Sequence, residues 1–261
     1  MNAITALLAE RQSLPVRRPQ NLGAAQTYRI RAQADVADVY LYADIGGWFG
    51  ISAEQFIADL RALRGAPLRV HLNSPGGDVF DGLAIYNTLL SYPAPVETIV
   101  EGLAASIASI IALAGRPATM ARASMLMIHE PWGLTVGTAQ DMLDMAATLE
   151  KAGDVLADVY SQATGSGPDV VRDWMRAETW WTAAEALEAG LIQRIGDEAP
   201  AEAVAARARF DLSAYRNVPR GLQIENAQRI CDPAPDPAAL ALAQQQEWIR
   251  NRRTALAGVA A

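Results

Sequence analysis

Strand-like runs alternating with amphipathic helical segments predict an α/β fold, and three observations carry that prediction. Apolar stretches of strand character recur at 36–45, 68–72, 96–100 and 125–128. Between them lie segments with apolar residues at helical spacing, opened by Ser, Thr or Asp and closed by Gly or Pro. The chain of 261 residues is 51% hydrophobic and 20% charged, a make-up that suits a globular domain rather than a disordered or fibrous chain.

Each element has its own warrant. Residues 1–26 read as a leader, because Pro15, Arg17, Arg18 and Pro19 break any helix before the first extended stretch. After the strand at 36–45 a Gly-rich loop turns the chain. Ser52 then caps a helix bearing Phe56, Ile57, Leu60 and Leu63. The strand at 68–72 ends in the sharp turn Pro75-Gly76-Gly77, and Asp78 caps a helix carrying Val79, Leu83, Tyr86 and Leu90 on one side. The strand at 96–100 feeds a wholly apolar helix at 106–113. Thr138 and Asp141 form a capping box that opens a long helix over 138–163. Along it Met142, Met145, Leu149, Ala152, Leu156 and Val159 alternate steps of 3 and 4, a narrow packing seam. A shorter helix follows Pro168, Thr182 and Glu185 form a second capping box, and Gly190 stands as a C-terminal glycine cap. Past 197 the composition turns to Ala, Arg and Pro, with an Ala-rich helix from Pro237 to near Gly258. The expected organisation is a leader at 1–26, a domain at 27–197 and an extension at 198–261.

Composition narrows the chemistry. Lys and Arg number 22 against 29 Asp and Glu, a net charge of −7 that fits neither nucleic acid nor an anionic membrane as partner. Cys231 is the only cysteine, so an intrachain disulfide and a thiolate metal cage are excluded. With two histidines, His71 and His129, a three-histidine zinc site is excluded as well, and neither metal nor cofactor is expected. Lys151 is the only lysine and no phosphate-loop motif occurs. The longest apolar stretch, 102–115, falls short of the ~20 residues that span a bilayer. A cytoplasmic protein is expected.

Three segments carry candidate chemistry. Asn73-Ser74-Pro75-Gly76-Gly77-Asp78 lies between a strand and a helix, where two glycines allow positive φ and a close backbone approach. It reads equally as an ordinary turn. Gly102-Leu103-Ala104-Ala105-Ser106 puts a serine near a helix N-terminus, where free amides favour developing negative charge, or merely a small residue where packing is tight. Met127-Ile128-His129-Glu130-Pro131 ends an apolar strand in a histidine, which is either a hydrogen-bonded core residue or the natural base near neutral pH.

Together these segments resemble the Clp protease proteolytic subunit family, serine peptidases of the Clp/crotonase-type fold. The likeness covers roughly 27–197, and the branch most similar is that of phage and prophage head maturation proteases. It rests on Ser-Pro-Gly-Gly-Asp-Val-Phe at 74–80, Gly-Leu-Ala-Ala-Ser at 102–106 and Met-Ile-His-Glu-Pro-Trp-Gly at 127–133. The resemblance implies repeated β-β-α and βα units with right-handed crossovers and a long protruding helix. It implies Ser106 as nucleophile, His129 as general base, and the amides of Gly77 and Ile107 as oxyanion hole. The third member of the triad falls on Glu178, where the cellular enzymes carry Asp, with Asp173 or Asp169 as alternatives. Substrate would lie as an added strand between an extended stretch at 76–80, with Gly76, Asp78 and Val79, and one at 132–136, with Trp132 and Gly133.

The implied partners are a polypeptide substrate and further copies of the chain in a ring, joined through the long helix, with capsid or scaffold proteins in the host cytoplasm or prohead interior. The cellular family docks an unfoldase ATPase on aromatic residues of the strand before the Gly-Gly turn. Arg69 and His71 stand at those positions here, and a polar face counts against such docking. The alternatives are a housekeeping-type subunit fed by an unfoldase, a crotonase-like acyl-CoA enzyme and an inactive ring or scaffold subunit. A Ser–Lys peptidase would have to use Lys151, which lies within the long helix.

Overall fold

The computed structural model describes residues 28–32, 36–46, 50–196, 210, 212–219 and 222. The leader at 1–26 and the Ala-rich helix near the C-terminus lie outside the described residues. The chain divides into two units, 1–219 and 220–261, and the first carries all the chemistry considered below.

An eight-stranded mixed sheet organises the first unit. β1 (Tyr28–Ala32) pairs antiparallel with β2 (Ala37–Leu41), which runs parallel to β3 (Leu68–Ser74), itself parallel to β4 (Val96–Ala105). Helices join the parallel neighbours, as parallel pairing demands: α1 (Ala53–Ala62) lies between β2 and β3, and α2 (Val79–Leu90) between β3 and β4. α3 (Ile107–Ala112) follows β4 with only Ser106 between them. The caps read from the sequence are present, with Ser52 accepting from the Gln55 N–H and Asp78 from the Phe80 and Asp81 N–H groups.

β4 is the pivot. Its first half pairs with β5 (Ala118–Ala121), Thr98 to Val100 facing Ala118 to Met120. Its second half pairs with β6 (Met125–Ile128), Leu103 to Ala105 facing Met125 to Met127. On its other edge β4's ladder with β3 shifts register between Leu72 and Ser74, where the Asn73 side chain accepts from the Leu103 N–H at 3.1 Å. β7 (Thr179–Thr182) runs antiparallel to β6, and β8 (Arg194–Gly196) parallel to β5. The strands β5, β7 and β8 carry too few alternating residues to stand out in the sequence.

α4 (Ala139–Thr164), α5 (Pro168–Arg176) and α6 (Ala183–Glu188) complete the unit, with capping boxes at Thr138–Asp141 and Thr182–Glu185. Burial defines two helix faces more closely. On α2 the buried stripe is Gly82, Ile85 and Leu89, with Val79, Leu83 and Tyr86 partly buried against the core beside it and Leu90 exposed. Gly82 decides this, because a Cβ there would fall 2.1 Å from Ile107 Cγ1; α2 can press on α3 only along that glycine. On α4 the seam divides into two parts. Ala152, Leu156, Ala157 and Tyr160 are buried in this unit's own core, whereas Met142 and Leu143 are exposed.

Candidate active site

Strand register brings three residues to one end of the sheet. Ser106 follows β4 directly, and its N–H donates to the Met127 carbonyl at 2.9 Å. His129 follows β6 directly. Because β6 and β7 are antiparallel with Ile128 facing Thr179, the next pair outward is His129 and Glu178. Neighbouring strand ends therefore supply a serine, a histidine and a carboxylate, although their positions in the chain are far apart.

The serine and histidine meet. Ser106 Oγ lies 2.8 Å from His129 Nε2, the distance at which a hydroxyl donates to a neutral imidazole. Ser106 holds φ 55 and ψ −132, a left-handed backbone that strains a residue with a side chain. Gly76 accepts the close approach, since a Cβ there would stand 2.6 Å from Ser106 Cβ and 2.7 Å from the Ala105 carbonyl oxygen. Burial holds the His129 pKa below the usual value, Glu178 pulls against that shift, and Arg216 adds to it. The imidazole is thereby kept neutral and able to accept a proton.

Glu178 is 4% exposed and sits at φ 50, a second strained residue. Its hydrogen bonds among the described residues come from elsewhere than His129. Oε2 accepts from the Arg216 N–H at 2.8 Å, and Oε1 from the Asn217 N–H at 2.6 Å and the Trp180 indole at 3.4 Å. Its effect on His129 is that of a nearby charge. Asp173 faces solvent at 74% side-chain exposure in an ion pair with Arg176, and Asp169 serves the first turn of α5.

Gly77 has φ 147 and fits only because it lacks a Cβ, which would fall 2.1 Å from the Ile45 carbonyl oxygen. The turn is pinned there by hydrogen bonds from Ile45 N–H to Gly76 O and from Asp78 N–H to Ile45 O, each 2.8 Å. Ile107 opens α3 beside Ser106 and is buried. The expected extended stretch at 76–80 is corrected: α2 begins at Val79 and the Asp78 carboxylate is spent on its cap, so neither Asp78 nor Val79 offers a free strand edge. Residues 132–136 lie outside every helix and ladder, with Trp132 exposed at 64%, and Gly133 packs under Met145 and Leu149 of α4.

Sequence reasoning did not single out Tyr215, Arg216 and Asn217. The Tyr215 hydroxyl donates to the Pro75 carbonyl at 2.5 Å, and its ring meets His129 edge-on at 5.3 Å. Burial pushes its pKa up to about 12, with the Ser106 side chain opposing as a hydrogen-bonding neighbour. An aromatic residue amid an Ala- and Arg-rich stretch was the one available signal.

The family model described as Clp protease matches residues 33–199, which include every strand end just described. The chain belongs to the Clp protease family. Its similarity to curated members is substantial, at 38% identity over 135 residues to the ATP-dependent Clp protease proteolytic subunit 1 of Protochlamydia amoebophila. That match covers 50% of this chain and 66% of the relative. The corresponding subunit of Chlamydia abortus is 36% identical over 135 residues, covering 50% of this chain and 70% of its own. A ClpP1 point mutant from Listeria monocytogenes superimposes with TM-score 0.55 at 22% identity, covering 62% of this chain and 91% of that one. That likeness concerns the fold, and the mixed α/β architecture is consistent with the Clp/crotonase type.

Within this Clp family fold, the Arg69 and His71 positions are occupied by an ionic network. His71 lies 2.7 Å from Glu101 through Nδ1 and 3.3 Å from Asp38 through Nε2, while Arg69 Nε donates to Asp38 at 2.8 Å. Tyr40 stacks on His71 at 4.5 Å, and Tyr42 donates to Glu101. Among the described residues no cluster suits a metal ion, and no helix is long and apolar enough to cross a membrane.

Proposed function

We propose that this chain is a serine endopeptidase acting through an acyl-enzyme on Ser106. The observation that carries the reading is the 2.8 Å contact between Ser106 Oγ and a His129 kept neutral by burial. The hydroxyl attacks the scissile carbonyl as His129 Nε2 takes its proton, and the imidazolium then returns that proton to the leaving amine. Water repeats the sequence on the ester and frees Ser106. Glu178 serves as the third member by stabilising the imidazolium. The amides of Gly77 and Ile107 are the proposed oxyanion donors, groups that typically contribute about 3 kcal/mol each to the transition state. Supporting this choice, the Gly-Gly turn is pinned against Ser106 by the Ile45 hydrogen bonds. A crotonase-like acyl-CoA enzyme would need the amides but not the Ser–His pair.

The biological setting proposed is prohead maturation in a phage or prophage, following the motif resemblance. The charged network around His71 favours a peptidase working without an unfoldase. A housekeeping subunit fits the same catalytic geometry, and the two readings part on whether an unfoldase binds. The activity itself is tested with a fluorophosphonate and a peptide substrate on the full chain. Ser106→Ala should abolish labelling, and Ser106→Ala and His129→Ala should each lower turnover by about 10³-fold or more. Near-normal turnover of His129→Ala overturns the reading.

A further inference from the structure

Residues 212–219 lie across the candidate triad from end to end. At the nucleophile end, the Tyr215 phenol bonds the Pro75 carbonyl at 2.5 Å, directly before the Gly-Gly turn, and contacts the Ser106 side chain. In the middle, its ring packs edge-on against His129 at 5.3 Å and Trp180 at 6.1 Å. At the acid end, the N–H groups of Arg216 and Asn217 bind one Glu178 oxygen each, at 2.8 and 2.6 Å. The Asn217 side chain adds a bond to the Ala177 carbonyl at 2.7 Å. Leu212 is buried, and its carbonyl accepts from the Tyr215 N–H at 3.0 Å, which fixes the turn that aims the phenol.

We propose that residues 212–219 are an internal inhibitor of the peptidase site, a strap that must leave before substrate enters. The inference rests on the peptidase reading above. A group touching Ser106, His129 and Pro75 at once stands where a scissile peptide must be seated. The strap also competes at both ends of the catalytic relay. Its phenol lies beside the Ser106 side chain, where a substrate would have to come, and its amides engage both oxygens that Glu178 would offer an imidazolium. The strap is held without being cut because it presents a phenol to Ser106. A phenol has no electrophilic carbonyl carbon, and the neighbouring peptide bonds lie a tyrosine side chain away. The chemistry that displaces it is that of a peptide able to supply an aromatic side chain and successive main-chain N–H groups.

The test uses the full chain as wild type, Tyr215→Ala, Tyr215→Phe and a Ser106→Ala control, and reads the rate of fluorophosphonate attachment by intact mass. Reactivity scales with the fraction of molecules whose site is open, so Tyr215→Ala should label about tenfold faster or more. Tyr215→Phe keeps the ring contacts and should fall between that variant and wild type. Equal rates in wild type and Tyr215→Ala overturn the strap, as does slower labelling, which would make Tyr215 a positioning residue. Absence of labelling in all proteins overturns the serine peptidase reading and the inhibition with it. Amide exchange in the wild type gives a readout independent of any variant's folding. The Arg216 and Asn217 amides should exchange slowly in the free protein and rapidly once Ser106 carries the phosphonate. Unchanged protection after labelling overturns the proposal.

Discussion

At the scale of residues, the proposed peptidase activity depends on keeping His129 neutral while leaving a carboxylate near enough to steady its charged form. Burial lowers the His129 pKa and Glu178 raises it, so the two effects can be separated by substitution. The acid limb of kcat/KM reports the base in the free enzyme, and it should lie below the ordinary histidine value of about 6.5. Activity is present above that pKa and lost as pH falls through it, because protonated His129 cannot accept from Ser106. Glu178→Gln removes the contribution that raises the pKa. The acid limb should therefore move to still lower pH, while kcat falls by on the order of 10³-fold because the imidazolium loses its counter-charge. A pH-rate series on both proteins checks this. A limb that moves upward would show that Glu178 acts on the fold rather than on His129.

At the scale of elements, the serine depends on how closely α2 can approach α3. Gly82 is the contact point, with space for no side-chain atom against Ile107. Gly82→Ala should cost about 1–3 kcal/mol of stability by overpacking, and should lower turnover because Ile107 is the residue after Ser106. Denaturant melts and peptide turnover measured together test this, and an unchanged melting midpoint would refute it. The same elements explain what the sequence could reveal. Strands β2, β3, β4 and β6 and the caps at Ser52, Asp78, Thr138 and Thr182 were legible because alternation, spacing and capping are local signals. Ser106 and His129 were legible only through motifs, since their meeting depends on β4 changing partner from β5 to β6 midway. The opposition of Glu178 and His129 comes from the register of β6 and β7, and β7 is too short to announce itself. Tyr215 reaches Pro75 across 140 positions of chain, a contact that no local pattern carries.

At the scale of the whole molecule, exposed apolar residues gather in sequence around the start of α4. Leu134 and Val136 are exposed at 75% and 79% in the loop before α4, and Leu143, on its first turns, is exposed at 64%. Exposed large apolar side chains mark an association surface when they form a contiguous patch. Clp proteases form ring oligomers, and a second copy of this chain is the occupant proposed for the surface. Leu143→Glu should then shift the protein towards smaller species in sedimentation, with little change in the folding stability of the subunit because the side chain is exposed. Leu156→Glu should behave differently. Leu156 is 4% exposed and packs in the subunit's own core, so a carboxylate there destabilises folding before it can affect assembly. Sedimentation and thermal melts on the two variants separate the two halves of α4. A wild type that sediments as a single monomeric species at micromolar concentration would remove the second copy from that surface, whatever the catalytic residues do.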